Sequence, residues 1–178
     1  MSNRPIGIVA ADSTVRRIAE RFASASQRVL LYQIDGGHRG KLPKNMEAAA
    51  TPTDIGFDCD IVLSFIDDTI SFRDFLIGTP ERTGLGAEMN PGAILVDFGV
   101  RPPRETQALL GVTGTRGVAI LDAAFVGASA ERDTDPLTML LGGFPDSVDR
   151  VVPVLSTIGR VDCTGPLGSA HTTAALMG

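Results

Sequence analysis

The stretch Ile6-Gly-Ile-Val-Ala-Ala-Asp-Ser-Thr-Val15 decides how this chain is read. Its first half is apolar and β-branched, as a strand buried on both faces requires. After Ser13 the period changes, and Val15, Ile18, Ala19 and Phe22 recur at helical spacing across residues 14–25. A buried strand joined to an amphipathic helix by a few residues is the opening unit of an α/β sheet. The same alternation runs outward from it. Residues 28–33, 60–66, 93–98, 118–122, 137–141 and 160–163 read as strands, with turn signals at Asp35-Gly-Gly37, Pro91-Gly92 and Gly142-Gly143. Helical patterns fill residues 69–77, with Phe72, Phe75 and Leu76 on one face, and open at Pro103 and Pro145, the latter running to about residue 158. Residues 41–57 are weakly patterned, with a short helix, a short strand at 48–51 and a turn at Gly56 expected. The expectation is one α/β domain over residues 1–178, a doubly wound and mostly parallel sheet, with a last helix starting within 165–178.

Bulk composition narrows the function classes. A chain of 178 residues is long enough for one two-sided core, and its hydrophobic fraction of 43% suits a globular domain. No apolar run reaches the length of a membrane span, and the start Met-Ser-Asn-Arg-Pro has no signal-peptide core. A net charge of −5 argues against a nucleic-acid partner, since tracking phosphates needs clustered Lys and Arg. Cys59 and Cys163 stand in strand-like contexts without metal-ligand spacing, so both are expected to be buried reduced thiols of a cytoplasmic protein, with no metal site.

Several framework segments are more specific: Cys59-Asp-Ile-Val-Leu-Ser-Phe65, Pro91-Gly-Ala-Ile-Leu-Val-Asp97, Leu121-Asp-Ala-Ala124, Met139-Leu-Leu-Gly-Gly143 and Cys163-Thr-Gly165. Together they resemble the N-terminal NAD(P)-binding domain of the β-hydroxyacid dehydrogenases, the family of 3-hydroxyisobutyrate and 6-phosphogluconate dehydrogenases, with imine reductases as cousins. The resemblance implies a Rossmann-like fold and NAD(P) as cofactor. It places cofactor contacts at Ala10, Ala11, Asp12, Ser13, Thr14, Gln33, Phe65, Ile66 and Asp67, and substrate contacts at Gly99, Val100, Val126 and Gly127.

The residues at those positions depart from the family's pattern. Its G-x-G-x-x-G falls on Ala10, Asp12 and Val15, where the glycines would serve the turn, the approach to pyrophosphate and helix packing. A carboxylate at Asp12 would repel a phosphate ~5 Å away by roughly 3 kcal/mol at an effective dielectric near 20, while Asp12-Ser13 would make a good helix N-cap. Gln33 and Ile34 stand where an acid would hold the ribose, and Asp35, His38 and Arg39 follow. The segment Asp97-Phe-Gly-Val-Arg-Pro-Pro103 keeps Asp97 and Pro103 but has Gly99 and Val100 in place of two hydroxyl residues. The substrate serine falls on Val126, the general acid/base lysine on Ala174 and its supporting amide on Met177. His171, one helical turn before Ala174, is the nearby ionisable substitute. The family's long interdomain helix would start where this sequence stops, and the sequence as given reads as naturally short.

These departures leave three functions open. The first, which loss of so many family residues favours, is a non-catalytic binding, regulatory or partner subunit. It would be a homodimer or bind another protein through apolar surface near Val161, Leu167 and Leu176. The second is a non-redox enzyme with an acidic crevice of Asp12, Asp67, Asp68 and Asp97 near Arg101 and Arg104, suited to a cation, an amine or a hydrolytic base, with Asp67 or Asp68 catalytic. Helix capping by Asp67-Asp68 is the structural alternative there. The third is a divergent NAD(P)-dependent oxidoreductase with His171 as its acid/base.

Overall fold

The computed structural model describes residues 4–11, 15–34, 41–99, 101–127 and 137–177. Within them the chain runs β1 (Ile6–Ala10), α1 (Arg16–Ser24), β2 (Val29–Gln33), β3 (Met46–Ala48), α2 (Pro52–Asp58), β4 (Ile61–Phe65) and α3 (Thr69–Ile77). A two-stranded antiparallel ribbon, β5 (Gly78–Thr79) with β6 (Arg82–Thr83), leads to the short α4 (Leu85–Glu88). Then come β7 (Ile94–Asp97), α5 (Pro103–Thr113), β8 (Ala119–Val126), β9 (Leu137–Gly142), α6 (Pro145–Leu155), β10 (Gly159–Gly165) and α7 (Ser169–Met177).

Eight strands form one sheet in the order β10-β9-β8-β7-β4-β1-β2-β3. From β3 to β8 all neighbours are parallel. β9 is antiparallel to β8, and β10 is parallel to β9, so the last two strands run against the rest. The fold is thus Rossmann-like and mostly parallel, as expected. The chain winds one way from β1 to β2 and β3, and the other way from β4 onward. The change of direction opens a crevice at the carboxyl ends of β1 and β4, where ligands bind in such sheets.

Alternating residues of each central strand feed two cores. Ile8, Leu31, Leu63, Val96 and Leu121 face Phe22 of α1 and Val148, Val151 and Leu155 of α6. Val9, Val62, Leu95 and Ile120 face Ile55 of α2, Phe72, Phe75 and Leu76 of α3, Leu85 of α4 and Leu109 of α5. Covering both faces is what lets these strands be apolar almost without interruption.

The structure corrects the reading of residues 41–57. The strand is Met46–Ala48, and Gly56 lies inside α2 rather than in a turn. Thr51 and Asp54 form a capping box, with Asp54 N–H donating to Thr51 Oγ1 and Thr51 N–H to Asp54 Oδ2, and Pro52 takes the first helical turn. Thr51 begins a helix because this reciprocal pair satisfies the orphan N–H groups there. β8 also runs four residues past Asp122, because β9 pairs with the extension from Ala123 to Val126.

The cysteines divide. Cys59 is fully buried, and its burial, reinforced by Asp58 and Asp60, pushes the thiol up to about 12. Cys163 is exposed, against expectation, because β10 is an edge strand of the sheet. A thiol titration at pH 8 should therefore find one fast-reacting cysteine in the native protein and two in denaturant, and Cys163→Ser should abolish the fast one.

Candidate functional site

The crevice begins where β1 ends. Ala10 is fully buried, and its carbonyl accepts from Ile34 N–H at 3.0 Å. Ala11 N–H donates to Phe65 O at 3.3 Å, so the chain leaving β1 is tied to the end of β4. Gln33 is half-buried at the end of β2. Asp12, Ser13 and Thr14 lie outside the described residues, as do Asp35, Gly36, Gly37, His38, Arg39 and Val100. Helix α1 starts at Arg16, and its N-cap is Val15, which makes no side-chain cap bond; the polar cap expected from Asp12-Ser13 falls on residues outside the described ones. The first N–H groups of α1 thus meet no capping side chain from Val15. Arg16 adds no charge toward the crevice, since its Nε donates to Glu20 Oε1 one turn further along the helix at 2.8 Å.

One face of the sheet carries acids at the crevice level. Ser64 of β4, Asp97 of β7, Asp122 of β8 and Gly142 of β9 are register partners in one transverse row. Both carboxylates are fully buried. Asp97 accepts from Arg101 Nε at 2.6 Å, from Arg101 Nη2 at 3.0 Å and from Gly99 N–H at 3.0 Å. Arg101 Nη2 also donates to Ile66 O, and the guanidinium carbon lies 4.0 Å from the centre of the Phe72 ring. Burial pushes the Asp97 carboxyl above its ordinary value, with the Arg101 guanidinium opposing.

This pair explains why position 99 carries no side chain. A side chain there would fall on Arg101 Nη2 and Ile66 O, so Gly99 and Arg101 belong to one arrangement. Arg101 was expected near the rim. It is instead buried within it, because the carboxylate fork and the Phe72 face hold it there.

Asp122 is satisfied differently. Its Oδ1 accepts from Gly168 N–H at 2.7 Å and its Oδ2 from His171 N–H at 2.9 Å, capping the start of α7 from the sheet. Gly142 leaves the room: a Cβ there would sit 2.5 Å from Asp122 Oδ1 and 2.6 Å from Ser169 Oγ. His171 is 4% exposed, and its Nε2 lies 3.2 Å from both Asp97 O and Ala123 O. Carbonyl oxygens only accept, so Nε2 carries the proton and joins the ends of β7 and β8.

The opposite face of the same rim is aromatic. Phe65 ends β4, Phe98 follows β7 and Phe125 lies in β8, and their rings stack with centroids 4.8 Å apart for Phe65–Phe98 and 5.0 Å for Phe98–Phe125. Phe98 is buried, with Phe65 and Phe125 half-buried on either side. Sequence reading missed this row, whose only signal was a phenylalanine near the end of each strand.

Of the acidic rim of the second reading, Asp12 lies outside the described residues, and the structure removes Asp97 from the rim. Asp97 is inside the protein, and Asp68 is the N-cap of α3, accepting from Ser71 N–H at 2.7 Å. Asp67 stays exposed, whereas Ile66 is core. No cluster of three metal-ligating side chains occurs among the described residues. Val126 is half-buried within β8 rather than in a loop, and Gly127 follows it, exposed, at φ 81°. On α7, Ala174 is half-buried and Met177 is 65% exposed. Of the apolar surface expected for partners, Leu167 is core and Val161 half-buried, but Leu176 is 84% exposed and Phe144, at the start of α6, 58%. No helix among the described residues is long and apolar enough to cross a membrane.

Residues 16–168 match the sequence family described as the NAD binding domain of 6-phosphogluconate dehydrogenase. The chain belongs to that family. L-threonate dehydrogenase of Cupriavidus necator is 29% identical over 123 residues, 68% of this chain and 39% of that protein. A 3-sulfolactaldehyde reductase of Escherichia coli is 24% identical over 130 residues, 72% of this chain and 43% of that protein. The matched stretch therefore spans less than half the length of these curated relatives. Among solved structures, 3-hydroxyisobutyrate dehydrogenase of Mycobacterium tuberculosis superposes with a TM-score of 0.77 at 13% identity, over 96% of this chain and 57% of that one. An imine reductase from Myxococcus stipitatus in complex with NADP+ gives 0.79 at 15% identity, over 97% and 59%. At such identities the likeness to solved structures is one of fold.

Two outcomes test the acid row and the rim. Arg101→Met strands a buried carboxylate and should cost about 3–5 kcal/mol in urea unfolding, with much of it regained in the Asp97→Leu/Arg101→Met double variant. The Ser71 hydrogen bond holds the Asp68 carboxyl below its ordinary value. The unfolded chain then binds the proton more readily, so the stability that Asp68 lends is present above about pH 4 and lost as pH falls through its depressed value. Asp68→Ala should be less stable than wild type at pH 7, and the gap should close in acid.

Proposed function

We propose that this chain binds a nicotinamide dinucleotide in the crevice between β1 and β4 and serves as the cofactor-holding half of a hydride-transferring reductase or dehydrogenase. The observation that carries this is the β1–α1 junction: a buried strand end opens beside a helix whose N-cap, Val15, offers no side chain to the first N–H groups. Anions are stabilised at such a helix start. The described residues fit a dinucleotide in this respect. The backbone at Val15 to Arg17 would meet the phosphates, Gln33 the adenosine side, and Phe65 and Phe98 the far end. The cofactor, when bound, would donate or accept the hydride.

The chain's own part in proton transfer is reduced, for Ala174 and Met177 carry no group that moves a proton. The half-buried Phe65 and Phe125 would keep water from the aromatic side of the crevice. The binding or partner-subunit reading, without turnover by this chain, stands second. It is favoured by Arg101 and Gly99 filling the place of the hydroxyl, and by the exposure of Phe144, Leu176 and Met177. A homodimer is the simplest assembly for it.

The test is fluorescence titration of NADH and NADPH, with Asp12→Gly beside the wild type. Saturable binding below about 1 mM by the wild type supports the proposal. Removing the Asp12 charge should tighten binding, by up to about a hundredfold. Saturation by neither protein overturns the dinucleotide reading and leaves the partner subunit, whose own measure is mass in solution by sedimentation.

A further inference from the structure

Among the described residues, five buried side-chain polar atoms lack a hydrogen-bond partner: Ser64 Oγ, Arg101 Nη1, Glu105 Oε2, Thr106 Oγ1 and His171 Nδ1. They are not scattered over the molecule. Ser64 is the register partner of Asp97 in the adjoining strand, and Arg101 grips the Asp97 carboxylate. Glu105 and Thr106 form the first turn of α5, immediately after Arg101. His171 lies in the first turn of α7, with Nε2 on the Asp97 carbonyl. All five belong to the ends of β4 and β7 and to the two helix starts that follow Arg101 and Gly168. Ser64 and Thr106 are 0% exposed, and Arg101 and His171 4%.

Left bare, five such atoms would forfeit an amount comparable with the whole stability of a domain. Native interiors satisfy groups of this kind with ordered water. The chemistry of the set favours water over an ion. Arg101 Nη1 can only donate. Glu105 Oε2, as a carboxylate oxygen, accepts, and His171 Nδ1 accepts in the neutral ring and donates in the imidazolium. The two hydroxyls do either. An anion would suit Arg101 and repel Glu105, and a cation would do the reverse. Water both donates and accepts. One water makes at most about four hydrogen bonds, so five atoms call for at least two molecules.

We infer that the protein holds an internal site for at least two ordered waters beneath the crevice, bridging Arg101, Thr106, Ser64 and His171, with the half-buried Glu105 at its solvent edge. The site binds the first turns of α5 and α7 to the ends of β4 and β7. It stands independently of what the crevice above it binds.

The experiment is oxygen-17 and deuteron relaxation dispersion of water in solutions of wild type, Thr106→Val, Thr106→Ser and Ser64→Ala, with a thermal melt of each. The site predicts at least two wild-type waters with residence times longer than molecular tumbling. At least one should be lost in Thr106→Val and in Ser64→Ala, and both kept in Thr106→Ser. Thr106→Val should also lower the melting midpoint by about 2–4 °C. The inference is overturned when the long-lived waters are equal in number in all four proteins, or when Thr106→Val loses none and melts at or above the wild-type midpoint, as removal of a bare hydroxyl would produce.

Discussion

Two carboxylates set side by side in a dry sheet are the constraint around which this structure is arranged. Asp97 and Asp122 are register partners on parallel neighbours β7 and β8, and neither reaches water. At the spacing of adjacent strands, ~5 Å, like charges repel by roughly 3 kcal/mol even at an effective dielectric near 20. Each must therefore be answered by its own positive partner. Asp97 has the Arg101 fork. Asp122 has the N-terminal N–H groups of α7, the positive end of that helix. These two answers fix the loop after β7 and the start of the last helix, so much of the crevice wall follows from them.

The same arrangement bears on the chemistry. The resemblance placed substrate contacts in the loop after β7, at Gly99 and Val100. Here the space is filled from inside by a guanidinium that bonds Asp97 and Ile66 and lies against Phe72. Gly99 is what makes room for it. Gly99 and Arg101, two residues apart along the chain, are one packing solution in space. Across the sheet the aromatic row of Phe65, Phe98 and Phe125 lines the rim, so the crevice pairs an internal polar face with an apolar one.

Legibility differed by the range of the interaction involved. Strands β1, β2, β4 and β7 were readable because burial on both faces writes a local apolar run. Asp68 was readable as a cap of α3, because a cap needs only the next three residues. Cys163 was misread, since an apolar neighbourhood in sequence does not reveal that β10 is the sheet edge. Thr51 with Asp54 was legible and passed over: the S/T-x-x-D pattern before an apolar residue began where the end of a strand was expected. Asp97 was misplaced at the rim for a different reason. Carboxylates near strand ends can lie on either side of the sheet surface, and only the register of β4, β7 and β8 placed Asp97 within it.

By itself, then, the sequence determined the alternation of strands and helices and the doubly wound, mostly parallel class. All of these are properties of residues near one another in the chain, where periodicity and side-chain identity act directly. Tertiary structure alone decided that β9 turns against β8, that Arg101 belongs to Asp97 and Ile66, that Asp122 caps a helix 46 residues away, and that His171 is buried on two carbonyls. The physical reason is that desolvation and strand register are set by neighbours in space. A buried charge takes whichever partner the packed sheet brings within hydrogen-bond reach.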